Sequence, residues 1–334
     1  MSRTLCAWFV LAATSFGQKP APQPETQEEL TAAAVELGRL VDEAEALVEK
    51  GDMAGARTAC QRALERADLE HATDAWLAAA DAALWRLGFA AYGAGDLRAA
   101  HDAWEAVHRN RSRTLPDDHP DLQRARQNLA ATKAALGDRP GALALQEQVL
   151  AVCARTLPDD HPDLQTARQN LAATKAALGD LPGALALQQH EFAICSRTLP
   201  DDHPDLQTAR NNLAITKRAL GDLPGALALQ QQVFAICSRT LPDDHPDLQQ
   251  ARQNLAATKL KFGDLPGALA LQQQVLAIRS RTLPDDHPDL QATRHDLAAT
   301  KRALGDLPGA LALQQQVLAI RSRTLPDDHP DLQA

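Results

Sequence analysis

Apolar residues recur at a helical period along most of the chain. Leu122, Ala125, Leu129, Ala130 and Leu136 are spaced so that they fall on one face of a helix. After a short polar break, a second stripe is formed by Ala142, Leu145, Val149 and Val152. The pattern predicts two amphipathic helices in close succession.

The residues between and after these stripes are typical of helix ends. Gly137 predicts the end of the first helix, Asp138 the N-cap of the second, and Pro140 a place in its first turn. Leu157-Pro158 predicts the end of the second helix. One unit is therefore helix, short turn, helix and linker.

This unit repeats along the chain. The linker sequence RTLPDDHPDLQ begins at Arg113 and returns every 42 residues, at Arg155, Arg197, Arg239, Arg281 and Arg323. A Gly-Asp turn marks each unit, at Gly51, Gly95, Gly137, Gly179, Gly221, Gly263 and Gly305. We predict two divergent repeats at 28–112, five near-identical repeats at 113–323 and a truncated repeat start at 324–334. Such an array needs no single large core.

The linker itself predicts the start of the next first helix. Asp118 is placed to be the N-cap, Pro120 falls in the first turn, and Asp121 lies where an acidic side chain meets unpaired backbone N–H groups. The equivalent predicted N-caps are Asp160, Asp202, Asp244 and Asp286.

The Asp-Asp-His triplet of the linker is also a candidate metal site, because Asp and His side chains bind metal ions. Its histidines are His119, His161, His203, His245, His287 and His329. Neighbouring copies should lie about 10 Å apart, the usual spacing of packed helices, so they cannot share one ion. A single copy offers few converging ligands. We therefore favour helix capping and expect no metal site and no cofactor.

The order Asn128-Leu129-Ala130, Gly137-Asp138, Ala142 and Leu150 resembles the tetratricopeptide repeat. The 42-residue period resembles the longer variety found in kinesin light chains and many bacterial relatives. The resemblance covers about residues 28–334 and implies an all-α, right-handed superhelical solenoid of about seven helix–turn–helix units.

The repeats depart from the family at two aromatic positions in each unit. The first is occupied by Lys133, Lys175, Lys217, Lys259 and Lys301, and the second by Gln146, Gln188, Gln230, Gln272 and Gln314. We expect modest stability for each unit, offset by the number of units.

By resemblance, the first helices line a concave groove in which amide side chains hold the backbone of an extended peptide or a partner's surface. The candidate groove residues are Arg124, Gln127, Asn128, Gln169, Asn170, Asn211, Asn212, Arg218, Gln253, Asn254, His295 and Arg302. We also expect a preference for acidic peptide side chains near Arg218 and Arg302. The alternative is that the Asn position bonds across units and serves the fold alone.

Comparison of the repeats with one another favours the groove. Residues 247–288 and 289–330 differ at seven of 42 positions, and all seven lie in the predicted first helix. The row that begins with Arg124 continues as Thr166, Thr208, Gln250 and Ala292. Such variation is expected of a surface that is diversified for binding, although recent duplication of unequal DNA segments is an alternative explanation.

Composition limits the function. The net charge of -9 excludes nucleic-acid binding by electrostatics. No nucleophile elbow, phosphate loop or HExxH motif is present, so we do not expect an enzyme. We expect a protein-interaction scaffold; the alternatives are a structural spacer or self-assembling array, or the interaction arm of a larger enzyme. Poor cover over the apolar face of 307–320 predicts weak self-association through the C-terminal end.

The N-terminal residues predict export. Arg3 is followed by the short apolar run Leu5–Ala13, and Ser15 and Gly17 fit a signal-peptidase site, with a linker at 18–27. We expect a periplasmic or secreted protein cleaved near Gly17; a buried N-terminal helix in a cytoplasmic protein is the alternative. No segment is long enough to span a membrane. The repeat cysteines are expected to be buried and unpaired: Cys153, Cys195 and Cys237.

Overall fold

The computed structural model describes residues 26–67, 69 and 72–324, and within them the chain forms fourteen α-helices and no strand. The prediction of an all-helical array of seven helix pairs is confirmed. The predicted export signal at 1–17 lies outside the described residues. Residues 18–25 of the predicted linker and 325–334 of the predicted truncated repeat also lie outside them.

The helices fall into two compact units that divide between Arg113 and Thr114. The first unit contains α1 (Gln27–Glu49), α2 (Met53–Ala67), α3 (Asp74–Gly93) and α4 (Leu97–Thr114). In this unit α1 packs against both α2 and α3. The aromatic residues of α3 and α4 form a cluster. The Phe89 and Trp104 rings meet edge to face with their centroids 5.3 Å apart.

The second unit consists of five helix pairs. They are α5 (Pro120–Ala135), α6 (Arg139–Thr156), α7 (Pro162–Ala177), α8 (Leu181–Thr198), α9 (Pro204–Ala219), α10 (Leu223–Thr240), α11 (Pro246–Phe262), α12 (Leu265–Thr282), α13 (Pro288–Ala303) and α14 (Leu307–Thr324). Each first helix packs against its own second helix, and each second helix packs against the next first helix. Every internal second helix therefore lies between two first helices.

The apolar stripes form this packing as predicted, with one exception. Leu129 and Ala130 pack against Ala142 and Leu145 of the second helix. At the next junction the stripe of α6 packs against α7. Leu136 does not join the core: it is 42% exposed, because the helix ends there and Leu136 is its C-cap.

The turn inside each pair follows its local sequence. Gly137 has a φ of +92°, which L-residues with a side chain rarely adopt. The Asp138 carboxylate accepts a hydrogen bond of 2.9 Å from the Gly141 backbone N–H, which confirms the predicted cap of the second helix. Lys133, which stands at the first aromatic position of the family, donates to the same carboxylate at 3.1 Å. The polar replacement therefore supports the turn.

The prediction that Asp118, Asp160, Asp202, Asp244 and Asp286 are the N-caps of the first helices is wrong. The N-cap is the following histidine, and the His119 Nδ1 atom accepts a hydrogen bond of 3.1 Å from the Asp121 N–H. The reason is a turn in which the His119 N–H donates to the Pro116 carbonyl at 3.0 Å. This turn contains Asp118 and places the helix start one residue later, at Pro120.

The first aspartate of each linker anchors it to the next first helix. The buried Arg126 guanidinium donates from Nη2 to the Asp117 carboxylate at 2.7 Å. The same pairing recurs in the four later repeats, between Arg168 and Asp159, Arg210 and Asp201, Arg252 and Asp243, and Arg294 and Asp285. Each linker is thus tied by an ion pair to the first helix that follows it.

Candidate functional site

None of the predicted groove residues is buried in the core. Four are exposed: Arg124, Asn170, His295 and Arg302. The other eight are half-buried: Gln127, Asn128, Gln169, Asn211, Asn212, Arg218, Gln253 and Asn254. The row that begins with Arg124 is exposed in all five repeats. The first helices of the second unit therefore present one accessible polar surface.

Amide side chains connect neighbouring first helices on this surface. Asn254 on α11 donates from Nδ2 to the Oδ1 of Asn211 on α9, at 2.7 Å. Gln250 in turn donates from Nε2 to the Asn254 Oδ1 at 3.1 Å. The Asn position therefore does bond across units here, and the three amides form one hydrogen-bonded chain.

A cavity of about 240 Å³ opens beside this chain of amides. It lies between α9 and α11, and α10 forms its floor with the apolar side chains of Val233 and Ile236. Asn211, Gln250 and Asn254 all line it. The arrangement combines an apolar floor with polar groups at fixed positions, which is the usual composition of a ligand site.

A second kind of cavity occurs at two junctions of the same unit. One, of about 190 Å³, lies between α7 and α9 with α8 as its floor. Its counterpart, of about 100 Å³, lies between α11 and α13 with α12 as its floor. Gln169 and Asn212 line the larger cavity, and Gln253 lines the smaller one at the position equivalent to Gln169.

The larger cavity contains an acidic residue that the sequence analysis did not select. Glu191 on α8 is 1% exposed, and burial raises the pKa of its carboxyl group. The Gln169 amide donates to this carboxylate. The other repeats have valine at this position: Val149, Val233, Val275 and Val317. Comparing residues 163–204 with 205–246 would have identified Glu191, because these repeats also differ in the second helix.

Arg218 is engaged by the neighbouring helix. Its Nη1 atom lies 3.4 Å from the Asn254 carbonyl oxygen and 3.5 Å from the Thr258 hydroxyl. Burial lowers the pKa of its guanidinium group. Arg218 therefore bridges α9 and α11, whereas Arg302 at the equivalent position of α13 is exposed.

The glutamines at the second aromatic position are buried in four repeats: Gln146, Gln188, Gln230 and Gln272. Their amide oxygens have no hydrogen-bond partner among the described residues. In Gln230, which is 1% exposed, the amide nitrogen also has none. Gln188 and Gln272 line the two equivalent cavities.

The repeat cysteines are buried and free, as predicted, and burial raises the pKa of the thiols of Cys153, Cys195 and Cys237. Within residues 26–67, 69 and 72–324, no group of three or more His, Cys, Asp and Glu side chains could hold a metal ion. No helix of the described part combines the length and apolar character needed to cross a bilayer.

A family model of the tetratricopeptide repeat matches residues 163–239, 205–281 and 247–323, and a second model of this repeat matches residues 122–163. The structure of a putative kinesin light chain from Podosopora anserina, described as having nearly identical TPR-like repeats, is 33% identical to this chain with a TM-score of 0.55. The match covers 63% of this chain and 99% of that one. This chain belongs to the tetratricopeptide-repeat family. The predicted kinesin-light-chain-like variety is confirmed.

Two further solved structures are similar to this tetratricopeptide-repeat chain in fold alone. BtubC (BKLC) from P. vanneervenii is 20% identical with a TM-score of 0.57, over 70% of this chain and 95% of that one. The apo form of RapI is 11% identical with a TM-score of 0.61, over 86% of this chain and 98% of that one. No curated protein sequence matches this tetratricopeptide-repeat chain. Tetratricopeptide-repeat proteins are in general non-catalytic scaffolds for protein–protein interaction, so the family supports that general role.

Proposed function

We propose that this chain is a non-catalytic scaffold that binds an extended peptide segment of a partner protein along the first helices of its second unit. The observation that carries the proposal is the cavity between α9 and α11, whose apolar floor is flanked by a chain of amides. An extended peptide presents backbone N–H and C=O groups that need partners when they leave water. The amides match that need.

The hydrogen-bonded chain of amides has a direction. Because Gln250 donates to Asn254 and Asn254 donates to Asn211, the chain ends in the Gln250 carbonyl oxygen and the Asn211 amide nitrogen. These ends supply one acceptor and one donor for a peptide backbone. An apolar peptide side chain then contacts Val233 and Ile236 on the floor.

The test uses peptides selected from a random display library on the full chain, with affinities measured by fluorescence anisotropy. The variant Asn211→Ala with Asn254→Ala should weaken the selected peptides about tenfold or more, because two hydrogen-bonding groups are lost. The matched control changes Gln231 and Gln232, which are exposed on α10, to Ala. Gln230 is left intact because it is buried. Equal loss in both variants, or failure to enrich any peptide, would contradict the proposal.

A second candidate role is self-association through α14, which a separate observation favours. Leu307, Leu311 and Leu318 on this last described helix are exposed. At the same positions of α12, the leucines are half-buried: Leu265, Leu269 and Leu276. An apolar helix face of this kind associates with a matching surface when one is offered.

A further inference from the structure

The differences between two neighbouring repeats converge on one cavity. Residues 163–204 and 205–246 differ at five positions, which are Gln169/Asn211, Ala173/Ile215, Ala176/Arg218, His190/Gln232 and Glu191/Val233. The cavity between α7 and α9 is lined by residues from four of these five positions. Its lining includes Gln169, Ala173, Ala176 and Glu191 of the earlier repeat, and Ile215 of the later one. The changes therefore define a single pocket, which we call the Glu191 pocket.

The polar lining of the Glu191 pocket is rich in hydrogen-bond acceptors. The Glu191 carboxylate lies on its floor, and so does Gln188, which is 7% exposed and whose Oε1 atom has no partner among the described residues. The Gln169 amide donates to Glu191. None of the ion pairs among the described residues involves Glu191, because the nearby Arg168 guanidinium pairs with Asp159 instead. The Glu191 carboxylate therefore makes no direct ion pair among the described residues; burial raises its pKa, and the Gln169 amide and the nearby Arg168 charge offset this only in part.

The rest of the lining is aliphatic. Ala173 and Ala176 leave space on the α7 side, and the Ile215 side chain contributes apolar surface from α9. Ile215 is itself specific to this pocket, because the other repeats have alanine there: Ala131, Ala173, Ala257 and Ala299. A ligand that fits has an aliphatic stem and ends in a positively charged donor.

The equivalent cavity between α11 and α13 serves as an internal comparison. There Val275 stands in place of Glu191 and Leu260 in place of Ala176, and the volume is about 100 Å³ rather than about 190 Å³. Its Asp296 comes from the next first helix; the side chain is exposed by surface area, unlike that of Glu191, although partial burial also raises the pKa of its carboxyl group. Of the two equivalent cavities, the Glu191 pocket is therefore the wider one and the one with a buried carboxylate on its floor helix.

We propose that the Glu191 pocket binds the cationic side chain of a lysine or arginine residue. The ammonium or guanidinium group pairs with the Glu191 carboxylate and donates to the Gln188 Oε1 atom. The aliphatic stem contacts Ala173 and Ile215. The identification of the ligand as a partner's peptide rests on the proposed function, whereas the charge preference of the pocket does not. The pocket therefore makes the array selective for a basic residue beside α8.

The test exploits the small number of isoleucines, which are Ile194, Ile215, Ile236, Ile278 and Ile320. The full chain with labelled isoleucine δ1 methyl groups is titrated with n-butylammonium, n-butylguanidinium or n-butanol and followed by NMR. We expect a saturable shift of the Ile215 signal with one or both cations. Butanol should give none, and the signals of Ile278 and Ile320 should not move. The two cations distinguish a lysine pocket from an arginine pocket.

Two variants identify the carboxylate as the cause. Glu191→Val reproduces the residue of the other repeats, and Glu191→Gln keeps the shape while removing the charge. Both should weaken cation binding at least about tenfold. The proposal is overturned if butanol shifts Ile215 as strongly as the cations do, if no saturable shift occurs, or if both variants respond like the parent chain. These results do not depend on the Asn211 and Asn254 variants, so either proposal can fail alone.

Discussion

A single imidazole fixes where each first helix of the second unit begins. Proline at the first helical position has no N–H to satisfy, and the histidine before it accepts from the next available N–H. The aspartates beside it do different work, since Asp243 binds the Arg252 guanidinium and Asp244 lies in the turn. Three adjacent polar residues thus have three separate structural roles.

Replacing this cap should have a measurable cost. His245→Ala removes the acceptor of the Asp247 N–H, so we expect a loss of about 1 kcal/mol in the free energy of unfolding. Asp244→Ala is the control and should cost less than about 0.5 kcal/mol, the usual range for surface substitutions. Urea unfolding followed by circular dichroism measures both. Equal losses of unfolding free energy in the two variants would contradict the assignment of the N-cap to His245 rather than to Asp244.

Glu191 should make stability depend on pH in a predictable direction. Because burial raises the pKa of Glu191 in the folded chain, the folded state holds this proton more tightly than the unfolded state does. Ionisation therefore costs stability as the pH rises above the ordinary glutamate value of about 4.3. Glu191→Val should be more stable than the parent by about 1–2 kcal/mol at neutral pH.

The gain from Glu191→Val should disappear as the pH falls below that ordinary value, since both states of the parent are then protonated. Unfolding midpoints measured across the acid range provide the comparison. If Glu191→Val raised the free energy of unfolding by the same amount at every pH, the gain would come from packing alone and not from the ionisation of Glu191.

At the scale of helices, the buried glutamines weaken the contact between the two helices of a pair. Gln230 has both amide atoms buried without partners among the described residues, and each unmet group costs free energy. Gln230→Leu should therefore raise the free energy of unfolding by about 1–2 kcal/mol. Gln231→Leu, on the exposed face of the same helix, should change it little. A loss of stability in Gln230→Leu would show that an ordered partner satisfies the amide.

The sequence predicted those helix features that depend on adjacent residues. Gly137, Asp138 and Pro140 act within one turn of backbone, so their roles followed from residue type and order. The His119 cap was missed because it depends on the Pro116 turn, a backbone hydrogen bond that hydrophobic periodicity does not contain.

The sequence predicted the candidate-site residues on the first helices but not those on the second helices. The first-helix residues followed from their variation and their common face, as for Gln169 and Asn212. Glu191 was missed because the second helix was treated as constant. The cavity also requires the packing of three helices, α7, α8 and α9, which no single stretch of sequence specifies.

At the scale of the second unit, stability is expected to fall toward its last helix pair, since α14 packs mainly against α13 among the described residues. Leu311 is 54% exposed, and Leu318 is also exposed. If α14 mediates self-association, Leu311→Gln with Leu318→Gln should shift the chain toward monomer in sedimentation-velocity experiments. The control changes Leu136 and Leu178, two exposed C-cap leucines, to Gln. A strictly monomeric parent chain at all concentrations would refute the self-association.

The identity of α12 and α14 in sequence has a consequence for how the chain folds. To α11, the helix at 307–324 offers the same residues as its proper partner at 265–282. A folding chain could instead pair α11 with α14 and leave out one whole repeat. The resulting helix interface would have the same side chains as the native one. The 42 extra residues in the connecting loop would cost only about 3 kcal/mol of closure entropy. This closure entropy and the unburied surface of the omitted helices are then what opposes the error. Synthesis from the N-terminus removes the choice, because α12 leaves the ribosome and packs before its duplicate exists.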